Sequence, residues 1–255
     1  MLGGPKIEGM STSTSTHASA GPHLSEASFD FLEELEHRNN REWFLEHKPT
    51  YELELKERML LIADAINVGL TDFAPEHVRP PAKAVMRIYR DVRFARDKTP
   101  YKTHLAAFWP RQGLEKTGGA GYFVQIGVHG VMIAAGSYMP AAPQLFAIRQ
   151  YLLEHHQQMR RVLSAVERTG LADPLEGNRL IRSPKGFDAE HPAADLLRNR
   201  QWAVTSNLPG DAALGADFTA LVLDRFRAMT PLVNLLNVPL AEVTPIQREA
   251  AAGRR

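Results

Sequence analysis

Two hydrophobic rhythms divide this chain. Apolar residues recur every three or four positions at its two ends and every second position in its middle. From Ser25 or Ser28 onward, Phe29, Leu32 and Leu35 fall at helical spacing, and Ser28 is placed to cap. Asn39-Asn40 interrupts the pattern, and Asn39 with Glu42 has the form of a capping box for a helix through Trp43 and Phe44. Pro49 suits a further helix start. Along that helix Tyr51, Leu55, Met59, Ile62 and Ile66 line one face as far as Leu70. Pro75, Pro80 and Pro81 then close the helical first third.

In the middle, Met86, Ile88, Val92 and Phe94 alternate, which predicts a strand over 86–94 with Arg90 as the exception on that face. His104–Trp109 predicts a second strand, followed by a Gly-rich loop over Gly113–Gly121. Tyr122–Val128 and Val131–Ala135 predict a hairpin turning at His129-Gly130. A long helix begins at Ala142, carries Leu145, Ile148, Leu152, His155, Met159, Val162 and Val166 on one stripe, and stops at Gly170. Beyond it the pattern predicts a short strand at Arg179–Arg182, a short helix at Pro192–Arg198 and a strand at Trp202–Ser206. A helix over Phe218–Met229 and a last short helix from Pro231 to Leu236 follow. Strands between helical flanks indicate an α+β fold: a helical N-terminal part, a central and mostly antiparallel sheet with a hairpin, and a long helix and mixed C-terminal part packed on it. Residues 1–24, made largely of Gly, Ser, Thr and Pro, are expected to form a disordered leader, residues 25–244 a single domain and residues 245–255 a frayed tail.

Composition narrows the chemistry. The 255 residues include no cysteine, so disulfides, thiol catalysis, iron–sulfur clusters and Cys-based zinc sites are excluded. Ten histidines show no His-Glu-x-x-His or similar spacing, and no metal site or cofactor is expected. No apolar run is long enough to span a bilayer, and the N-terminus lacks the apolar core of a secretory signal. A membrane partner is therefore not expected, and the cytoplasm is the expected compartment. The formal net charge of +1 hides an uneven distribution. Between Arg79 and Lys116 there are ten basic residues against three acidic ones, a net of +7, whereas Ser28–Arg58 holds nine acids against five bases, a net of −4.

The basic stretch is densest from Arg87 to Lys102. If 86–94 is a strand, Arg87, Tyr89, Asp91 and Arg93 share one face. That face presents two guanidinium forks suited to phosphate or carboxylate, a phenol, and a carboxylate held ionised between arginines. Lys98 would fold back over it from a loop stiffened by Pro100, with Tyr101 packed beneath. The competing reading is a salt-bridge ladder in which these arginines pair with Glu33, Glu34 and Glu42 of the acidic front.

Arg87, Arg90, Asp91, Arg93, Phe94, Lys98, Pro100 and Tyr101 spell R-x-x-R-D-x-R-F-x-x-x-K-x-P-Y. This pattern resembles the signature of the family catalogued as domain of unknown function 2461. Asn39-Asn40-Arg41-Glu42-Trp43-Phe44 and Pro184-Lys185-Gly186-Phe187-Asp188, followed by His191-Pro192, are similar to further stretches of that family. The resemblance spans roughly residues 28–240. It implies no particular activity, because that family is catalogued without an established function.

Three functions remain open. The first is a binding or catalytic pocket for a small anionic molecule, with Arg87, Tyr89, Arg90, Arg93, Lys98, Tyr101 and Lys185 as ligand-binding candidates. Within it Asp91 would orient an arginine, and Lys98 or Tyr101 would donate a proton. A structural or protein-interaction role for the basic face ranks second, and nucleic-acid binding through basic residues interleaved with aromatics ranks third. Gly118-Gly119-Ala120-Gly121 lacks the Gly-Lys-Ser/Thr of a phosphate loop and reads as a flexible connector.

Overall fold

A computed structural model describes residues 21–114, 118–175 and 177–252, with the backbone alone from 244 to 252. Chain order begins with α1 (Glu26–His37), α2 (Arg41–Glu46) and α3 (Lys48–Thr50). The last of these runs through a π-helical stretch (Tyr51–Glu57) into α4 (Arg58–Leu70). Ser25, not Ser28, caps α1. Ser28 sits three residues in, fully buried, and completes a reciprocal capping box with Ser25. Asn40 caps α2 by accepting from the Trp43 amide, so the box expected from Asn39 and Glu42 is corrected by one residue. The π-helical stretch has a geometric reason. Tyr51, Leu55 and Met59 are spaced by four, which overshoots an α-helical turn by about 40°, and the wider turn keeps all three on the buried face.

After the one-turn helix α5 (Pro81–Ala84) come β1 (Leu105–Pro110), β2 (Gly121–Gly127) and β3 (Gly130–Ser137). Next are α6 (Ala142–Arg168), α7 (Ala194–Leu197), β4 (Trp202–Leu208) and α8 (Phe218–Ala252). The four strands form an antiparallel meander in the order β1-β2-β3-β4, and the fold is α+β as the sequence pattern indicates. The hairpin turns at Val128-His129, closed by the Gly127–Gly130 pair, one residue earlier than expected. Trp109, Tyr122, Val124, Ile133 and Val204 face inward and are buried. α8 covers this side, and α4 and α6 pack against α8. The opposite face carries Phe108, Phe123, Gln125, Met132, Thr205 and Asn207, all partly or well exposed.

Other expectations are corrected. Residues 86–94 form no strand. The chain there makes only isolated bridges, Val85 to Ala107 and Tyr89 to Tyr101, because the register slips by two residues between them and a continuous ladder cannot form. Arg179–Arg182 likewise reduces to one bridge, Arg179 to Asn199. The helices expected on either side of Pro231 are one, α8, in which Pro231 lies on the continuous run. Gly21–Leu24, expected within the leader, are ordered: Leu24 is fully buried, and Gly21 and Leu24 amides donate to Ala216 and Ala213. Residues 1–20 lie outside the described residues, and the helix backbone continues to Ala252 into the segment expected as a tail. Among the described residues, no helix is long and apolar enough to cross a membrane.

Candidate functional site

The segment from Arg79 to Lys102 makes one turn of helix at α5, runs beside β1, loops out and returns. Its two arms are joined by Arg90 N donating to Pro100 O at 2.9 Å and Lys102 N donating to Ile88 O at 2.8 Å. Asn39 clips the returning arm. Its side chain donates to Tyr101 O at 3.0 Å and accepts from Tyr101 N at 3.1 Å, imitating a strand partner. Tyr101 is buried, its ring stacked on Phe44 at 3.9 Å, and burial raises its phenol pKa, with Tyr89 adding to the effect. It packs beneath the loop as expected, and it does not open into a cleft.

Above this platform lies an open cleft of about 790 Å³. Arg79, Lys83, Arg87, Arg90 and Lys102 line it, with Asp91 the one acid, together with Tyr89, Ala82, Val85 and Met86. Arg87, Tyr89, Arg90 and Asp91 are therefore brought together. Arg93, Lys98, Tyr101 and Lys185 lie outside the lining. Lys185 is exposed on a turn whose Phe187 packs on Phe146 of α6.

The arginines divide into two groups. Arg90 donates to Asp97 at 2.6 Å and also to the Thr99 hydroxyl. The Thr99 amide, Arg90 and the Thr99 hydroxyl together hold the Asp97 carboxyl down at about 2. Arg93 grips Asp91 with two nitrogens, at 3.0 and 2.8 Å. That pairing lowers the Asp91 pKa, with a smaller contribution from Arg87. Both pairs are local to the loop; among the described residues none of these arginines pairs with Glu33, Glu34 or Glu42, the partners of the competing ladder reading. Lys98 Nζ donates back to the Val92 carbonyl at 3.0 Å. These contacts brace the loop and hold up Phe94, which is 94% exposed with Arg93 beside its ring. An outward Phe94 overturns the alternation read from the sequence, since the irregular backbone no longer sends every second side chain inward.

Arg79, Lys83 and Arg87 form the second group, whose side chains make no hydrogen bond or ion pair among the described residues. In Arg79 the Nε and Nη1 atoms are shielded from solvent and still have no acceptor. Its backbone is fixed by the buried Asn67, which donates to Arg79 O at 2.7 Å and accepts from Arg79 N at 3.4 Å. The same Asn67 oxygen accepts from the Trp109 indole at 3.0 Å. Arg79, Lys83 and Lys102 appear in the sequence only as part of the basic stretch. The spacing of Arg79, Lys83 and Arg87 by four is the one signal that marks them as a set.

A second concavity of about 400 Å³ adjoins at Thr103 and His104 and continues over Gln125, Met132, His129 and Asn207. Glu36 there is engaged by His129 at 3.0 Å, and burial, then Lys102, lowers the His104 pKa. Among the described residues, no three His, Cys, Asp or Glu side chains are grouped to hold a metal. The Gly-rich connector is corrected in its described part: buried Asn237 accepts from Ala120 N and donates to Ala120 O, which fixes the end of the loop. Glu115–Thr117 lie outside the described residues.

No curated protein and no solved structure matches this chain. A family model does match, over residues 27–235, and that span takes in the helical front, the whole sheet, both arms of the basic cleft and the first half of α8. The chain thus belongs to the family described as conserved hypothetical protein (DUF2461).

Proposed function

We propose that the cleft binds a small anion bearing phosphate or carboxylate groups. The observation that carries this reading is the Arg79 guanidinium, with two nitrogens removed from water and given no acceptor. A buried donor in that state costs about 1–3 kcal/mol, more when it is charged, and an anion in the cleft would relieve it. Lys83 and Arg87 also line the cleft and supply further charge, and its one acid, Asp91, is already gripped by Arg93. Arg90 lines the cleft with its guanidinium already committed to the loop, and Arg93 has its own carboxylate, so for these two the scaffolding role is the better reading. Lys98 and Tyr101 are not proton donors in this reading, because one is tied to a carbonyl and the other packs under the loop.

Thermal unfolding with and without pyrophosphate or citrate tests the reading. Ligand should raise the wild-type Tm, the paired substitution Arg79→Met and Arg87→Met should abolish the shift, and Arg93→Met should keep it. An unchanged shift in the paired variant would eliminate the site.

A further inference from the structure

We infer that the anion is the backbone of a single-stranded nucleic acid, which lies along the cleft and continues over the open face of the sheet. This rests on the anion-binding reading of the cleft and adds the aromatic surfaces beside it. Tyr89 stands in the cleft itself, 48% exposed, its ring braced edge-on by Phe44 at 6.0 Å and tilted against Tyr101 at 5.4 Å. A half-exposed ring held rigidly beside unpaired cations gives a base a face to stack on while its phosphate meets a guanidinium.

The open sheet face supplies the next platform. Phe108 of β1 and Phe123 of β2 are direct cross-strand partners there, both partly exposed and neither packed against the hydrophobic core. Along the same face Gln125, Met132 and Asn207 fall in one register row across three strands, an amide and a thioether beside an Asn207 side chain that donates to Asp173 Oδ2 at 3.1 Å. The linings of cleft and second hollow meet in sequence at Lys102-Thr103. Lys102 lines the cleft, while the following Thr103 and His104 line the concavity that opens over Gln125 and Asn207. On the other arm, Met86 N donates to Ala106 O of β1 at 2.8 Å, which places the cleft wall directly beside the strand that carries Phe108.

This extent favours a strand over a free nucleotide. One nucleotide needs one enclosed pocket, whereas here two open hollows follow one another with aromatic rings in or beside each. It also favours nucleic acid over a membrane, because a bilayer meets a flat or convex surface and both features are concave. Glu36, the acid in the lining of the second hollow, is paired with His129, and Asp173, the acid against β4, accepts from Thr205 and Asn207.

The test is fluorescence anisotropy with labelled single-stranded DNA and RNA of about 12 nucleotides, a length within the range for such surfaces. It is run beside the pyrophosphate thermal shift, a mononucleotide titration and sedimentation with phosphatidylserine vesicles. The variants are Tyr89→Leu and Phe123→Leu, which keep apolar bulk and remove the stacking face; their melting curves report on folding. Expected is oligonucleotide binding that weakens with salt at a log–log slope of about −2 for three contacted phosphates. Each variant should lose about tenfold in affinity, and Phe123→Leu should keep the pyrophosphate shift. A pyrophosphate shift without oligonucleotide binding overturns this inference and leaves the anion site standing. Mononucleotide binding as tight as the oligonucleotide, or vesicle binding in its absence, overturns it as well. Loss of both signals in the wild-type protein removes the two readings together.

Discussion

Replacing Asn67 with alanine should both destabilise the fold and loosen the cleft, and the size of the effect follows from three contacts. The Asn67 side chain is 7% exposed. It donates to Arg79 O at 2.7 Å, accepts from Trp109 Nε1 at 3.0 Å and accepts more weakly from Arg79 N at 3.4 Å. Trp109 is fully buried, so its indole N–H would be left without an acceptor, at a cost of about 1–3 kcal/mol. The Arg79 carbonyl loses its donor, worth about 1 kcal/mol. The total is about 3 kcal/mol. With a urea m-value toward the upper part of its range of about 1–3 kcal/mol/M, the midpoint should fall by roughly 1 M with the slope unchanged. Because Asn67 also fixes the backbone of Arg79, the pyrophosphate-induced Tm shift should shrink in the same variant. A midpoint lowered by less than about 0.3 M, a cost below about 1 kcal/mol, would refute the claim that this amide joins helix, sheet and cleft.

Three further outcomes are expected. His77 is fully buried, its Nδ1–H donating to Trp109 O at 3.0 Å and its Nε2 without a hydrogen-bond partner, 3.9 Å from Glu76 Oε1; burial, partly opposed by that hydrogen bond and by Glu76, lowers its pKa below the ordinary 6.5. Its contribution is full above 6.5 and is lost as pH falls from there toward the depressed folded value. Tm measured from about pH 8 to about pH 5 should therefore decline more in the wild type than in His77→Gln, and parallel curves would contradict the neutral assignment. The Asp97 carboxyl should titrate by NMR with a midpoint of about 2, so that the loop brace survives until the pH falls that far; a midpoint at the ordinary 3.8 would mean the brace is absent in solution. Gly136 has φ +132°, and an added Cβ would lie 2.1 Å from Trp202 O and 2.7 Å from Ala203 Cα. Gly136→Ala should thus cost more than about 3 kcal/mol in urea unfolding, and a loss within about 0.5 kcal/mol would show that β3 and β4 do not approach this closely.

The legible parts of this fold are those in which local periodicity and burial agree. Tyr51, Leu55, Met59, Ile62 and Ile66 line one stripe, and all are buried. The β2–β3 hairpin was readable for the same reason, because each strand alternates a buried and an open face. The Arg87–Lys102 motif was also visible, and it does carry four of the cleft lining's six charged residues. Its geometry was not. A strand over 86–94 follows from alternation alone, yet an edge segment becomes a strand only if its neighbour offers a matching register, and here the pairing with Thr103–Ala107 and Tyr101 slips. Once that happens, Phe94 turns outward and Arg93 pairs with Asp91 instead of sharing a face with Arg87 and Tyr89.

By itself, then, the sequence determined the α+β layout, the family and the place along the chain where positive charge gathers, since spacing and residue type depend only on near neighbours. Tertiary structure decided which of those cations are satisfied. Arg90 and Arg93 find carboxylates within seven residues, whereas the backbone of Arg79 is held by an asparagine from α4 and its side chain lines a cleft whose one acid, Asp91, is taken by Arg93. That Arg79 is left without an acceptor depends on how segments distant in the chain pack around it, and no local pattern encodes that.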